Sequence, residues 1–157
     1  MRNTKALITL FLFIFACNLA ASSTDPNIGT WKLNLAKSKY SPGPPPKEVT
    51  MKIEANGANG IHLVQTGISA TGQPTKVDIT ANYDGKDTPV TGVSNTDTIA
   101  MKRVNANTTE STLKKGGKVI MTVVNVVSKD GKTRTSTFKG TDPQGRAVNN
   151  IAVYDRQ

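Results

Sequence analysis

The chain has 157 residues but only one cysteine, one histidine and one tryptophan, and aromatic residues make up 5% of it. Each scarcity closes a route. The cysteine, Cys17, stands near the N-terminus, so no disulfide can staple the rest of the chain, whose stability must come from strand pairing and apolar burial. With His62 as the sole histidine, a metal site built from several histidines or cysteines is excluded. Nucleophilic catalysis needs a nucleophile, a base and an orienting group within hydrogen-bond reach. The chain offers no G-x-S-x-G elbow and no carboxylate pair at a telling spacing. No glycine-rich loop leads from a strand into a helix, so a phosphate cradle of the nucleotide-fold kind is absent. Asp84, Asp87 and the "TDP" at Thr141–Pro143 are explained by turn hydrogen bonding rather than by calcium. No catalytic residue, metal ligand or cofactor is assigned, and the chain reads as a non-enzyme.

Long apolar runs are equally scarce. The one present, "ALITLFLFIFA" at Ala6–Ala16, follows Arg2 and Lys5 and precedes the small-residue stretch "NLAASS". This is the layout of a secretory signal peptide, and the run is shorter than the roughly 20 apolar residues of a membrane-spanning helix. We read 1–21 as the signal, 22–28 as a short linker and 29–157 as one domain, exported to a periplasmic or extracellular location. Cys17 permits a second reading, because "IFAC" resembles a lipobox in which that cysteine is acylated; bulky Phe15 departs from the pattern, and ordinary cleavage is the expectation. Without Arg2 and Lys5 the 20 basic residues become 18, against 11 acidic ones, a net charge of +7. That balance suits a solvated surface or anionic envelope polymers. No aromatic residues interleave with a basic cluster, so nucleic acid is not an expected partner.

Helical periodicity is missing as well. Past residue 28, segments rich in Val, Ile and Thr alternate with Gly- and Asn-bearing turns such as "NGANG", "KGGK" and "KDGK", which supply the positive φ of hairpin turns. The pattern predicts strands at 29–35, 47–55, 60–69, 74–83, 97–104, 108–115, 118–128, 132–140 and 146–155, with a short one near 87–91. Alternation puts Val49, Met51 and Ile53 on one face, Val77, Ile79 and Ala81 on one face, and Ile151 with Val153. The fold class is all-β: an antiparallel up-and-down meander of about 8–10 strands closed into a barrel, since closure removes exposed edges. Segment 118–128 is apolar on both faces, with Val119, Met121 and Val123 on one side and Ile120, Val124 and Val126 on the other. Its outer face calls for cover, either from the stiff "SPGPPP" segment folding back or from a second subunit in a homodimer; a sandwich with this strand in its middle is the alternative. The proline segment itself is expected to be a rigid crossover spanning one end of the barrel.

His62 alternates with Ile61 and Leu63. If those two face inward, His62 is on the solvent side; the reverse would let it meet haem or a metal. The threonine-rich strands 108–115 and 132–140 leave open whether small hydroxylated residues point inward and leave a cavity or point outward around a filled interior.

"GTWKL" at Gly29–Leu33 resembles the G-x-W signature of calycins, the lipocalins and fatty-acid-binding proteins. The wider pattern, "GTWKLNLAKSKYSPGPPPK" with "SKDGKTRT" and the terminal "VYDRQ", is similar to small secreted lipocalin-like bacterial proteins. The resemblance implies that Trp31 plugs one end of the barrel, that Arg156 from the last strand packs across its indole, and that Gly29, Trp31 and Arg156 form the closure. It also implies non-catalytic carriage of a small apolar or amphiphilic molecule, with Tyr40, Tyr83 and Phe138 as lining residues. The rival reading is a structural or interaction protein whose basic surface holds acidic envelope polymers or a partner protein.

Overall fold

A computed structural model describes residues 25–93 and 95–157. The stretch read as a signal peptide, Cys17 and the start of the segment read as a linker lie outside the described residues. Ten strands follow in chain order: β1 (Gly29–Leu33), β2 (Glu48–Ala55), β3 (Gly60–Ile68), β4 (Pro74–Asn82), β5 (Asp84–Pro89), β6 (Thr98–Asn105), β7 (Thr108–Lys115), β8 (Lys118–Val127), β9 (Thr133–Thr141) and β10 (Ala147–Arg156). They form a single antiparallel sheet in the order β4-β3-β2-β1-β10-β9-β8-β7-β6-β5. The first and last strands are therefore neighbours, with Trp31 opposite Arg156 and Leu33 opposite Tyr154.

The sheet curls into a nearly closed barrel whose seam lies between β4 and β5. There one bridge, Asp78 with Thr91, links the two sides. Residues 90–93 fill the rest: Val90 packs on the core, and Gly92 comes so close to the Lys76 carbonyl that a Cβ could not fit. Gly92 also has φ +79°, a conformation glycine tolerates without strain.

Most strand limits agree with the sequence pattern to within one or two residues, because turn residues mark them. Strand β5 begins at Asp84, three residues before the expected 87, with a register shift between Asp84 and Asp87, and three further details differ. First, β1 ends at Leu33, where Leu35–Lys37 form a 3₁₀ turn capped by the Asn34 side chain, which accepts from the Lys37 amide at 3.1 Å. Second, the proline segment is anchored to the wall at both of its ends, with the Lys47 amide after it donating to the Ile68 carbonyl at 2.9 Å. The residues before it extend the wall beside β10: Lys39 and Ile151 exchange two backbone hydrogen bonds of 2.7 Å, and the Asn149 amide donates to the Ser41 carbonyl at 2.8 Å. They take the place left by β1, which is half the length of β10. Third, the β7–β8 register advances one residue on β7 (Leu113 to Lys114) while it advances two on β8 (Met121 to Val119). This bulge at Ile120 separates Val119 from Met121 and Val123 and leaves Val119 58% exposed.

The barrel has two unlike ends. Turns 56–59, 106–107 and 128–132, together with residues 25–28, gather at the end holding Trp31; the opposite end carries turns 69–73, 116–117 and 142–146. The densest packing lies toward the first end, where Trp31, Ile53, Ile61, Val127 and Ala152 are each at most 2% exposed. Toward the other end the inward residues Leu63, Val77, Ile79, Leu113 and Phe138 are only half-buried, so the core thins into an open mouth.

Candidate functional site

The sealed end is built around one ring. The Trp31 indole is fully buried and donates from Nε1 to the Asn27 carbonyl at 2.8 Å. The Arg156 guanidinium lies 4.1 Å from the ring centroid and donates to three carbonyls, those of Ile28 and Pro26 at 2.7 Å each and that of Gly131 at 2.5 Å. A cation over an indole face is favourable by about 1–2 kcal/mol where water is partly excluded. Gly29 completes the set. Its φ is +141°, and a Cβ there would run into Nη1 of Arg156, so a side chain at this position and the stacked arginine exclude each other.

Residues 25–28, read in the sequence as the end of a linker, are part of this seal. Asn27 is buried. The Asp25 carboxylate accepts from Arg103 Nη2 at 2.6 Å, from the Tyr83 hydroxyl at 2.9 Å and from the Asn27 amide at 3.0 Å. The Arg103 guanidinium sits 4.2 Å over the Tyr83 ring. Burial pushes the Asp25 carboxyl up, but the hydrogen bonds from Arg103, Asn27 and Tyr83 outweigh it and hold the group below the usual carboxylate value. Burial and the neighbouring Asp25 charge drive the Tyr83 hydroxyl well above its ordinary value.

Above the seal lies a cavity of about 210 Å³. Much of its wall is apolar, with Leu63, Ile79, Ile99, Leu113 and Phe138 among the lining residues. A polar stripe runs along β7–β9, formed by Ser111, Asn125, Arg134 and Ser136. The stripe is ordered: Arg134 Nη1 donates to Ser136 Oγ at 2.9 Å, and Ser136 Oγ donates to Asn125 Oδ1 at 2.8 Å. Arg134 is the exceptional group. It is 6% exposed, and burial depresses its pKa. Its other protein contacts are Nε donating to Asn27 Oδ1 at 3.4 Å, Nη1 meeting Met51 Sδ at 3.9 Å and the guanidinium lying 5.9 Å from the Tyr154 ring centroid. Among the described residues no carboxylate pairs with it. The nearest negative charge, Asp25, acts on it only from beyond Asn27. Burying a guanidinium without a directly paired carboxylate costs several kcal/mol of desolvation, and an anion within the cavity would offset that.

The residues expected to line the interior separate. Phe138 borders the cavity. Tyr83 belongs to the sealed end, held by Asp25. Tyr40 is half-buried in the segment beside β10 and packs on the core; burial raises its hydroxyl to about 12. His62 is on the outer wall, paired with Asp78 at 2.9 Å, while Ile61 is buried inside. Trp31 does not border the cavity. Arg134, which no sequence argument singled out, does. Its signal was present in "TRTSTF", where Arg134, Ser136 and Phe138 share one face; the threonines between them face outward. Small Ser111 and Ser136 on the inner face leave the space that the cavity occupies.

Ten antiparallel strands with the first and last zipped together define a calycin-like β-barrel. No protein-family model matches the sequence, and none of the curated proteins does. Among solved structures, the wild-type fluorescent protein UnaG is similar at 17% identity and a TM-score of 0.57, over 83% of this chain and 97% of that one. The zebrafish ileal bile acid-binding protein complexed with cholic acid is similar at 14% identity and a TM-score of 0.52, over 84% of this chain and 99% of that one. Among the described residues no helix is long and apolar enough to cross a membrane.

Proposed function

We propose that the protein binds a small amphiphilic anion, non-catalytically, with an apolar body along the Leu63–Ile79–Leu113 wall and an anionic group against Arg134. The observation that carries this reading is the buried guanidinium facing an apolar cavity with no carboxylate beside it. Volume narrows the class. Drug-sized ligands occupy pockets of roughly 300–1,000 Å³, so a cavity of about 210 Å³ favours a slim acyl chain over a rigid polycycle, or a chain whose tail reaches the mouth. The likeness to a bile acid-binding protein is consistent with an amphiphilic ligand and leaves its identity to the cavity's own dimensions.

Displacement of a fluorescent fatty acid by decanoate and by decanol tests the reading. Decanoate is expected to compete at least tenfold better, a difference of about 1.4 kcal/mol. Arg134→Met is expected to erase that preference while the protein stays folded, since an apolar replacement removes a desolvated charge. Equal competition by acid and alcohol in the unsubstituted protein contradicts the assignment.

A further inference from the structure

Among the described residues, lysines without an acidic partner stand at both ends of the barrel, and more of them at the mouth. Toward the sealed end Lys37 pairs with Asp155, Lys52 with Glu54, Lys86 with Asp84, Lys102 with Glu110 and Arg103 with Asp25, while Lys129 and Lys132 of the 128–132 turn are exposed and form no salt bridge among the described residues. At the mouth the acids are likewise taken, Asp87 by Lys114, Asp97 by Lys115 and Asp142 by Arg146. Basic residues remain over, however. Among the described residues Lys47, Lys76, Lys118 and Lys139 have no acidic partner, and all four are exposed. Lys47, Lys76 and Lys118 stand at or near strand ends that border the mouth, and Lys139 lies on the wall just below it.

The β7–β8 hairpin projects from this rim. Gly116 and Gly117 both have positive φ, 55° and 75°, so the turn is tight, and Asp97 clamps it by accepting from the Gly116 amide at 2.8 Å and from Lys115 Nζ at 2.6 Å. Beside Lys118 the bulge turns Val119 outward, 58% exposed. An exposed valine among uncompensated lysines, around the opening of an apolar cavity, has the chemistry of an anionic bilayer surface: headgroup charge for the lysines and an acyl boundary for the valine. A soluble polyanion would use the charges but not the valine or the aperture.

We propose that the mouth rim docks on an anionic phospholipid surface, with Lys47, Lys76 and Lys118 toward the headgroups and Val119 at the acyl boundary. The inference rests on the rim and holds whatever the cavity carries. It is tested by co-sedimentation of the purified protein with vesicles of phosphatidylglycerol and phosphatidylcholine, against pure phosphatidylcholine, at low salt. Binding to the anionic vesicles alone is expected. Each rim lysine contributes about fivefold in partitioning, the equivalent of about 1 kcal/mol, so Lys47→Gln with Lys118→Gln is expected to lower it about 25-fold. Lys129→Gln with Lys132→Gln, the same charge change at the sealed end, is expected to leave it within about threefold if the rim alone makes contact. A second readout is independent of charge: Val119→Trp is expected to shift its emission to the blue on anionic vesicles, whereas Val104→Trp, at a sealed-end valine 55% exposed, is not. Equal loss from both lysine pairs, absence of vesicle binding, or retention on dextran sulfate without any blue shift overturns the proposal.

Discussion

At the scale of single residues the sealed end concentrates the most consequential contacts. Arg156 makes a stack and three carbonyl hydrogen bonds that no other side chain can replace together. Arg156→Met leaves those carbonyls to find water at a partly buried site, and we expect a loss of about 2–4 kcal/mol in urea unfolding. Arg156→Lys keeps the charge but not the planar fork, so most of the loss should persist. Because Trp31 is the sole tryptophan, its emission reports both variants directly. Asp25 sets a pH dependence. Its carboxyl titrates below the ordinary value in the fold, so its contribution is complete above about pH 4, the value of a free aspartate. That contribution is lost as pH falls from there through the lowered folded value. An acid-unfolding series should show the unsubstituted protein losing stability over this window, and Asp25→Asn should flatten it. The tryptophan plug and its arginine were legible in the sequence from their resemblance to a known pattern. Arg134 and Asp25 were not. A charged residue in a strand is read as outward by default, and an aspartate before the first strand reads as linker, until the neighbours that bury it are known.

At the scale of elements the turns explain why so much was legible. Glycine and asparagine marked nearly every hairpin, and strand limits follow from them. What escaped depends on partners. The bulge at Ile120 is a property of the β7–β8 register, which alternation within β8 alone does not contain, and so Val119 was assigned to the wrong side. The proline segment was expected to span the barrel end, yet the residues before it pair with β10 because β1 stops short and leaves β10 donors and acceptors open. This predicts a particular exchange pattern. The amides of Lys39 and Ile151 should be protected from hydrogen exchange to a similar degree, as partners in one bridge. Rapid exchange at both would contradict the wall extension.

At the scale of the whole molecule, the barrel works by asymmetry. One end is packed and plugged; the other is thinly packed, carries more of the unpaired lysines and opens on a cavity whose buried guanidinium has no paired carboxylate among the described residues. Fold class was legible because an up-and-down meander of this length closes on itself. Whether the lumen was hollow was not. That depended on which of the hydroxylated residues turned inward, and the answer is mixed: Thr109, Ser111 and Ser136 face in, while Thr133, Thr135 and Thr137 face out. The central claim, an anionic group held against Arg134, is tested most directly by ¹³C NMR of carboxyl-labelled decanoate bound to the protein. We expect a bound resonance that stays at the ionised position as pH is lowered through the range where free decanoate protonates, and that regains ordinary titration in Arg134→Met. A bound carboxyl that titrates like the free acid in the unsubstituted protein would contradict the account.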